Sequence, residues 1–378
     1  LPGIEKSPDL RLTAVCDLKP ERMAYAREKY GVPEANCFSD YRDLVNCPDV
    51  DVVDISTSNN AHFAVAKAAI EAGKPYCIEK PVTLTAEEAD ILARMTAERG
   101  LPSMVCFSYR FKAAARYARE LVEQGMLGEI YHVYMQYLQA GGGPSYDLPR
   151  SWRYQKALTG TGALGDLGCH ALDLVGFVTG KGYRRAVGHA DTFVHSRRLE
   201  EGEGMGPVDV DDFCHYLMEM DGKTAANFSV TRFAYGRGNY QRMEIYGSKG
   251  ALVYSLDVTP GVDALEVCIG APYERVGAFT NLPVPERFRA DQMQAFADVL
   301  NGCGDGTAAT IEDGRRIQHA LDTIIRSAEE ARWLPCGGHR THSKRATGGG
   351  RGAPPPREKR RAHSHGRSKP GVCLLFSW

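Results

Sequence analysis

The chain has 378 residues, of which 43% are hydrophobic and 25% are charged, a composition that excludes a disordered protein and fits a globular one of about two domains. No stretch approaches the roughly 20 consecutive apolar residues that cross a bilayer, so we expect no membrane association. The net charge of −1 conceals a basic last segment, because residues from Cys336 onward include ten Lys or Arg and one acidic residue, Glu358. The acidic remainder of the chain argues against a nucleic-acid ligand.

The 11 cysteines indicate a reducing compartment. They are scattered through apolar segments such as AVCD, YCIE and MVCFS, and no CxxC pair with metal-ligand spacing occurs. Buried free thiols are the preferred interpretation over disulfides, and no signal peptide is readable. We therefore expect a cytoplasmic protein.

Strands and amphipathic helices alternate over the first part of the chain. Buried strands are predicted at residues 10–17, 50–57, 74–81 and 102–109, with helices at 21–31, 38–46, 61–73 and 85–100. This alternation predicts right-handed crossovers and a doubly wound parallel sheet. Ligands of such sheets bind beyond the carboxyl ends of the strands. The residues predicted there are Asp17, 56–60, 79–81 and 108–110.

The pattern changes after about residue 110. A helix at 112–125 leads to closely spaced strand candidates at 130–138, 212–220, 224–233, 242–247, 251–256 and 265–270, and two helices follow at 286–302 and 311–333. The turn signals between these strands are typical of an antiparallel sheet. The predicted organisation is an α/β domain over residues 1–110, an α+β domain over 111–335 and a basic tail over 336–378.

The start of the first domain is incomplete by the standard of dinucleotide-binding folds. Those folds open with a strand and a glycine loop, and an acidic residue about 20 positions later binds the ribose hydroxyls. Asp17 fits that acidic position, but only sixteen residues precede it and none of them form a glycine loop. The first strand and its loop are therefore predicted to be missing. The alternative for Asp17 is a cap of the following helix.

A GxGxxG pattern does occur later, at Gly160, Gly162 and Gly165. The residues before it, SWRYQKAL, are too polar for a buried strand, so a phosphate cradle is not predicted. Asp166, His170 and Asp173 follow at i, i+4 and i+7, one face of a helix. A carboxylate one turn from an imidazole indicates acid–base chemistry.

Lys80 ends the third predicted strand, where an ammonium can stabilise developing negative charge on a substrate. His170 could accept a proton from a substrate hydroxyl, with Asp166 supporting it. The alternatives are a structural histidine, or a metal site of Asp166 and His170. A metal site needs a third ligand, and Asp173 is only an unclear candidate for it. No metal site is therefore predicted.

Together these motifs resemble one family. EKP, TSNNAH, FSYR and GALGDLGCHALDL, with SWRY and EIYGSKGAL, are similar to the glucose–fructose oxidoreductase / inositol dehydrogenase / MocA (Gfo/Idh/MocA) family from about Leu10 to Trp333. The resemblance implies a Rossmann-type domain that binds NAD, with NADP possible, and a second domain with a large, open, mostly antiparallel sheet. It also implies a homo-oligomer, a dimer or tetramer built through that sheet. The implied activity is dehydrogenation of a cyclitol or sugar, closest to inositol 2-dehydrogenase.

The resemblance also implies roles for single residues. Lys80 matches the catalytic lysine, and Asp166 and His170 match the pair that binds the substrate, His170 being the proton acceptor. Tyr235 is a further substrate-binding candidate. The residues implied to contact the cofactor are Asp17, Thr57, Asn59, His62, Glu79, Lys80, Arg110, Trp152 and Arg153. A carboxylate at Asp17 favours NAD because it repels a 2′-phosphate, a preference that Lys19 weakens.

Other interpretations remain at this point. Within the same family, NAD can be retained while a glycosidic bond is hydrolysed or an epimer is formed. The absent glycine loop would also suit a non-catalytic, sugar-binding member. Residues 336–378 are predicted to be disordered because they offer little apolar surface to bury. They are interpreted as a localisation or polyanion-binding arm, or as the product of a misread gene end.

Overall fold

A computed structural model of the chain describes residues 2–270, 279–337 and 371–376. Its helices are α1 (Pro2–Lys6), α2 (Pro20–Tyr30), α3 (Tyr41–Val45), α4 (Asn59–Glu71), α5 (Ala86–Arg99), α6 (Ala113–Glu123), α7 (Lys156–Thr159), α8 (Cys169–Thr179), α9 (Gln292–Leu300) and α10 (Ile311–Glu330). The first strands are β1 (Arg11–Cys16), β2 (Cys37–Phe38), β3 (Val52–Ser56), β4 (Tyr76–Ile78), β5 (Ser103–Val105), β6 (Ile130–Leu138), β7 (Tyr183–Asp191), β8 (Ser196–Arg198) and β9 (Met205–Pro207). The later strands are β10 (Phe213–Met220), β11 (Ala225–Thr231), β12 (Tyr240–Gly247), β13 (Gly250–Leu256), β14 (Asp263–Ile269), β15 (Thr280–Asn281), β16 (Leu334–Pro335) and β17 (Gly371–Phe376).

The first sheet is parallel throughout and has the strand order β2-β1-β17-β3-β4-β5. Both faces are covered, which is why its strands are near-continuous apolar runs. Val53 and Ile55 pack in the cluster that includes α4 and α5, while Val52 packs with Phe296 of α9 on the other face. The predicted doubly wound parallel sheet is confirmed, and its carboxyl edge is where the functional residues were expected.

The centre of this sheet holds a strand from the far end of the sequence. In the Rossmann order 3-2-1-4-5-6, the first strand lies between the second and the fourth. Here β17 takes that place, paired in parallel with β1 on one side and β3 on the other. The position that the sequence suggested would lack a strand is therefore filled, and residues 371–376 differ from the disorder predicted for the tail. Residues 338–370 of the predicted tail lie outside the described part of the chain.

The local fit of β17 explains why an apolar segment can occupy this slot. Val372 and Cys373 are fully buried, and Val372 packs with Val15. The amide of Gly371 donates to Asp51 Oδ2 at 2.7 Å, and a Cβ at Gly371 would lie 2.2 Å from the Asp49 carbonyl oxygen. Only glycine can enter the sheet so close to a neighbouring backbone.

The second sheet has nine strands in the order β15-β14-β13-β12-β6-β11-β10-β7-β16. All its pairs are antiparallel except β6 with β11, so the predicted mostly antiparallel sheet is confirmed. Helices α6, α8 and α10 cover it, and α8 is buried along most of its length. Among the helices in the described ranges, none is both long and apolar enough to span a membrane.

Candidate active site

A cleft of about 270 Å³ opens at the carboxyl edge of the parallel sheet. Loops after β3 and β4 form one wall, and the segment from residue 152 to the start of α8 forms the other, with a contribution from the loop after β11. Its lining residues are Ser56, Thr57, Asn59, Glu79, Lys80, Pro81, Trp152, Arg153, Thr159, Thr161, Asp166 and Arg232. The cleft thus lies at the edge where the crossover rule predicts ligands to bind.

Lys80 and Asp166 form an ion pair across the cleft. Lys80 Nζ donates to Asp166 Oδ1 at 2.7 Å and to the Asp166 carbonyl oxygen at 3.1 Å. The second carboxylate oxygen of Asp166 accepts from Arg232 at 2.9 Å. The carboxylate therefore lies between two cations, and it holds the ammonium in place beside the open volume of the cleft.

Electrostatics keep this pair charged. Burial opposes the charge on Asp166, but Lys80 and Arg232 hold the pKa of its carboxyl far below its usual range. Burial likewise opposes the charge on Lys80, but Asp166 holds the pKa of the ammonium well above its usual value. Glu79 lies next to them, and burial raises its pKa. Lys80 is therefore a hydrogen-bond donor and a positive charge at neutral pH, and cannot act as a base.

The turn before α8 delivers Asp166 to the cleft. Gly160 ends the short helix α7 with φ 81°, so no strand runs into the GxGxxG pattern. Residues 164–168 then form a π-helical turn that runs directly into α8. Such turns are frequent at functional sites. The glycines do not form a phosphate cradle at the carboxyl end of a strand, as the polar residues before them indicated.

The π-turn also separates the three residues predicted to share a face. Asp166 faces the cleft, whereas Asp173 binds Arg110 with both oxygens, at 2.5 Å for Arg110 Nη2 and 2.8 Å for Nε. Burial raises the pKa of Asp173 to about 6 in spite of this pair. Arg110 also pairs with Asp313 of α10. Asp173 and Arg110 therefore anchor α8 away from the cleft, and the structure does not bring Arg110 to the expected cofactor contact.

His170 lies behind the cleft, in the first turn of α8, and is 7% exposed. Its ring centroid is 4.7 Å from that of Tyr109. Among the described residues, none is a hydrogen-bond partner of the buried Nδ1 atom. Burial, and then the charge of Lys80, hold its pKa well below its usual value, so the imidazole is neutral and able to accept a proton.

Most of the predicted cofactor contacts converge on the cleft. Thr57, Asn59, Glu79, Trp152 and Arg153 all line it. Asn59 Nδ2 donates to the Thr159 carbonyl at 3.1 Å, and the Arg153 guanidinium lies 4.5 Å from the Trp152 ring centroid. The two walls are thus tied together by a polar contact.

Three other predicted residues lie elsewhere. His62 is fully buried and braces two loops, with Nδ1 2.9 Å from the Pro81 carbonyl and Nε2 3.1 Å from the Thr57 carbonyl. Tyr235 is 65% exposed and bonds the Ser145 hydroxyl outside the cleft lining. Asp17 accepts from Lys19 N at 2.8 Å and from Arg22 Nη1 of α2 at 3.1 Å, but the N-cap residue of α2 is Lys19, which has no side-chain cap, so Asp17 does not cap this helix.

Sequence reasoning missed Arg232, Thr159 and Thr161 in the lining, and Asp211 behind it. Arg232 lies near the end of the predicted strand 224–233 and Asp211 directly precedes the predicted strand 212–220, and the sequence analysis gave neither residue a role. A metal-compatible cluster was also not anticipated. The ligand atoms of Asp54, Cys77 and Cys106 lie within 4.8 Å of one another inside the sheet, outside the cleft lining.

The cleft suits the nicotinamide end of a dinucleotide. It lies at the carboxyl ends of β3 and β4, beside the first turn of α4, whose amides receive no side-chain cap. Free amides at a helix start attract phosphate groups.

Comparison with known proteins assigns the family. The model "Oxidoreductase family, NAD-binding Rossmann fold" matches residues 1–107, and the GFO/IDH/MocA C-terminal domain model matches residues 115–253. Levoglucosan dehydrogenase of Pseudarthrobacter phenanthrenivorans is 33% identical over 350 residues, 85% of this chain and 88% of that protein. Inositol 2-dehydrogenase of Salmonella typhimurium is 32% identical over 143 residues, 38% of this chain and 42% of that one.

Solved structures give the same result. An oxidoreductase domain protein from Kribbella flavida has a TM-score of 0.77 at 32% identity, covering 86% of this chain and 90% of that one. A levoglucosan dehydrogenase complex with NADH and L-sorbose has a TM-score of 0.78 at 28% identity, covering 88% and 91%. The chain therefore belongs to the Gfo/Idh/MocA family of oxidoreductases, and its first sheet is an NAD-binding Rossmann domain.

Proposed function

We propose that the protein is an NAD-dependent dehydrogenase that oxidises a secondary alcohol of a sugar or cyclitol. The observation that carries the proposal is the Lys80–Asp166 ion pair, which presents a fixed ammonium to a polar cleft at the carboxyl edge of the sheet. The sugar class rests on the relatives, among them levoglucosan dehydrogenase, D-glucoside 3-dehydrogenase and inositol 2-dehydrogenase. Levoglucosan-like anhydrosugars are the first substrates to test, ahead of inositol, because that relative matches along most of the chain.

In the proposed mechanism, Lys80 donates a hydrogen bond to the reacting hydroxyl and stabilises negative charge as its proton leaves. Asp166 orients Lys80. At the open side of the cleft it also orients a neighbouring hydroxyl of the substrate. His170, which lies close to the Lys80 charge but outside the cleft lining, is proposed as the acceptor of that proton because its imidazole is neutral. Glu79, Trp152 and Arg153 would hold the nicotinamide end. Bound NAD supplies the hydride acceptor.

Asp17 is proposed to select NAD over NADP through its negative charge. It is buried at the carboxyl end of β1, and its carboxylate would repel a 2′-phosphate there. Arg22, which pairs with it, reduces this repulsion. A homo-oligomer built through the second sheet remains part of the proposal, and size-exclusion chromatography with light scattering tests it.

The test of the activity is NADH formation by the full-length protein with levoglucosan, a simple glucoside and myo-inositol, each with NAD and with NADP. We expect absorbance of free NADH with at least one sugar and NAD. NADH that stays bound to the protein would instead support the retained-cofactor chemistry of a glycosidase or epimerase. Absence of NAD binding by calorimetry would support a non-catalytic sugar-binding protein.

A further inference from the structure

One buried carboxylate holds the start of the turn that carries Asp166. Asp211, on the loop between β9 and β10, accepts from Gly162 N at 2.6 Å through Oδ1 and from Leu164 N at 2.7 Å through Oδ2. Its backbone carbonyl accepts from Ala163 N at 2.8 Å. Three consecutive amides, which have no partner inside the helix that follows, are thus all bound by Asp211.

The close contact between Asp211 and Gly162 restricts the backbone of the turn. A Cβ at Gly162 would lie 1.9 Å from the Asp211 carbonyl oxygen, so the two backbones touch. Arg232 adds a tie on the other side, since its Nη2 donates to the Gly162 carbonyl at 3.3 Å and to Asp166 at 2.9 Å. Asp211 thus fixes the position of the Leu164 amide, and Asp166 lies only two residues further along the same turn.

We propose that Asp211 is a positioning residue for the Lys80–Asp166 pair: it fixes the turn at residues 162–164 and so sets how closely the carboxylate approaches the ammonium. Asp211 is not among the residues that line the cleft, so it acts through the turn without touching the substrate. This inference rests on the proposed dehydrogenase function for its kinetic consequence, but its effect on Lys80 is independent of any substrate.

The effect on Lys80 has a defined sign. The groups that act on the Lys80 charge, or that its charge acts on, are Asp166, Glu79, Cys169, Tyr109, His62 and His170. Among them, Asp166 is the anion in direct contact with the ammonium. If the turn relaxes and Asp166 withdraws, the pKa of Lys80 falls and the pKa of Asp166 rises. Lys80 and Asp166 are then both charged over a narrower pH range, because its upper limit falls and its lower limit rises.

The next residue supplies a matched control. Asp212 is also buried and also caps backbone amides, accepting through Oδ2 from Phe193 N at 2.8 Å and Val194 N at 3.0 Å. Those amides belong to a different loop, away from the cleft lining. Asp212→Asn therefore matches Asp211→Asn in chemistry and burial but leaves the turn before Asp166 intact. Asp211→Asn loses one of its two capping acceptors, because each oxygen of Asp211 accepts one amide, whereas the single carboxamide oxygen of Asp212→Asn can keep both bonds.

The experiment measures Lys80 directly in the full-length wild type, Asp211→Asn and Asp212→Asn. Trinitrobenzenesulfonate, which attacks only neutral amines, labels Lys80 at a series of pH values, and peptide mass spectrometry reports the rate. We expect Lys80 to be labelled several-fold faster at each pH in Asp211→Asn than in the wild type, and at the wild-type rate in Asp212→Asn, with both variants folded by circular dichroism. Equal labelling of Lys80 in the two variants would overturn the proposal.

Kinetics provide the second readout. With an oxidised sugar, kcat of Asp211→Asn should fall by about tenfold to a hundredfold, the scale of a misplaced catalytic group, with the KM for NAD changed little. The pH range over which Asp211→Asn keeps its kcat should become narrower, whereas the profile of kcat against pH for Asp212→Asn should keep the wild-type shape. A wild type that oxidises no sugar would refute the proposed function, while the labelling result would still decide the role of Asp211.

Discussion

Lys80 is the residue on which the chemistry of the cleft depends. It combines partial burial, an anchoring carboxylate and a position beside the open volume. We predict that Lys80→Ala lowers kcat by about 10²-fold or more, the contribution expected of a group that acts on the reacting hydroxyl, with NAD affinity kept within a few-fold. Steady-state kinetics and cofactor titration by tryptophan fluorescence measure the two effects.

Lys67→Ala is the control for this variant, because Lys67 is exposed and pairs only weakly with Glu71, at 3.9 Å on the surface of α4. Its kinetics should equal those of the wild type. Turnover by Lys80→Ala at the wild-type rate would remove the lysine from the mechanism.

His170 should titrate below the ordinary histidine range. Burial and then the charge of Lys80 lower its pKa well below 6.5, so the folded protein binds its proton less readily than the unfolded chain. The neutral base is therefore present throughout the neutral range, and we predict that kcat/KM stays level as the pH falls through 6.5. The same shift removes stability as the pH falls below 6.5, because the unfolded chain then takes up the proton first.

The measurement is kcat/KM against pH, accompanied by the melting temperature at each pH so that unfolding is not read as titration. A decline of kcat/KM centred at 6.5 in a fully folded sample would contradict a buried, neutral His170. His170→Ala should lose turnover at every pH while keeping NAD binding.

A position at the end of a parallel strand brought most, but not all, of the predicted residues to the cleft. Lys80, Glu79, Thr57 and Asn59 follow parallel strands directly, so the shared carboxyl edge was enough to bring them together. Arg110 also follows a strand, but a buried carboxylate, Asp173, binds its guanidinium. Such a pairing depends on how α8 packs, which local sequence does not reveal.

At the level of the secondary-structure elements, the turn from residue 160 to 168 determines the site. Gly162 admits no side chain, since a Cβ there would meet the Asp211 backbone. We predict that Gly162→Val lowers turnover by about tenfold or more, because the displaced turn misplaces Asp166, and leaves NAD affinity nearly intact. Cofactor titration beside steady-state kinetics measures both.

Gly238→Val is the matched control, because a Cβ at Gly238 meets nothing within 4 Å. That variant should keep the wild-type kcat. A large and selective loss of NAD binding in Gly162→Val would mean that the GxGxxG pattern is the cofactor loop after all.

Helical spacing predicted this element only in part. The i, i+4 relation of Asp166 and His170 assumed a regular α-helix, whereas residues 164–168 form a π-turn. The wider turn and the caps from Asp211 are set by tertiary contacts, with partners 47 and 49 positions apart in the sequence. Periodicity carries no information about contacts over such distances, so Asp211 and Arg232 could not be found from it.

For the whole molecule, the main departure from expectation lies in β17. Composition predicted disorder for residues 336–378 because most of that segment is polar, and an average over the segment hides the short apolar run at 371–376. That run pairs with two parallel strands and buries Val372 and Cys373. This six-residue strand occupies the place of the first strand that the sequence predicted to be missing. No sequence pattern linked residues 371–376 to that place.

We predict that Val372→Asp lowers the free energy of unfolding by about 3 kcal/mol or more, since it buries an unpaired charge at the centre of the sheet. Val258→Asp, at a position that is 65% exposed, is the control and should change stability little. Chemical denaturation of the full-length variants measures both. Equal stability of the two would show that β17 contributes nothing to the NAD-binding domain.

The central claim is that the Lys80–Asp166 cleft removes a hydride from a sugar carbinol and delivers it to NAD. The most direct measurement uses a sugar deuterated at its reacting carbon, with mass spectrometry of the nicotinamide product. We predict one deuterium on the NADH formed by the wild type, and formation of that labelled NADH by Lys80→Ala at a rate lower by about 10²-fold or more. NADH that carries no deuterium from any ring position, or labelled NADH at the wild-type rate from Lys80→Ala, would contradict the claim.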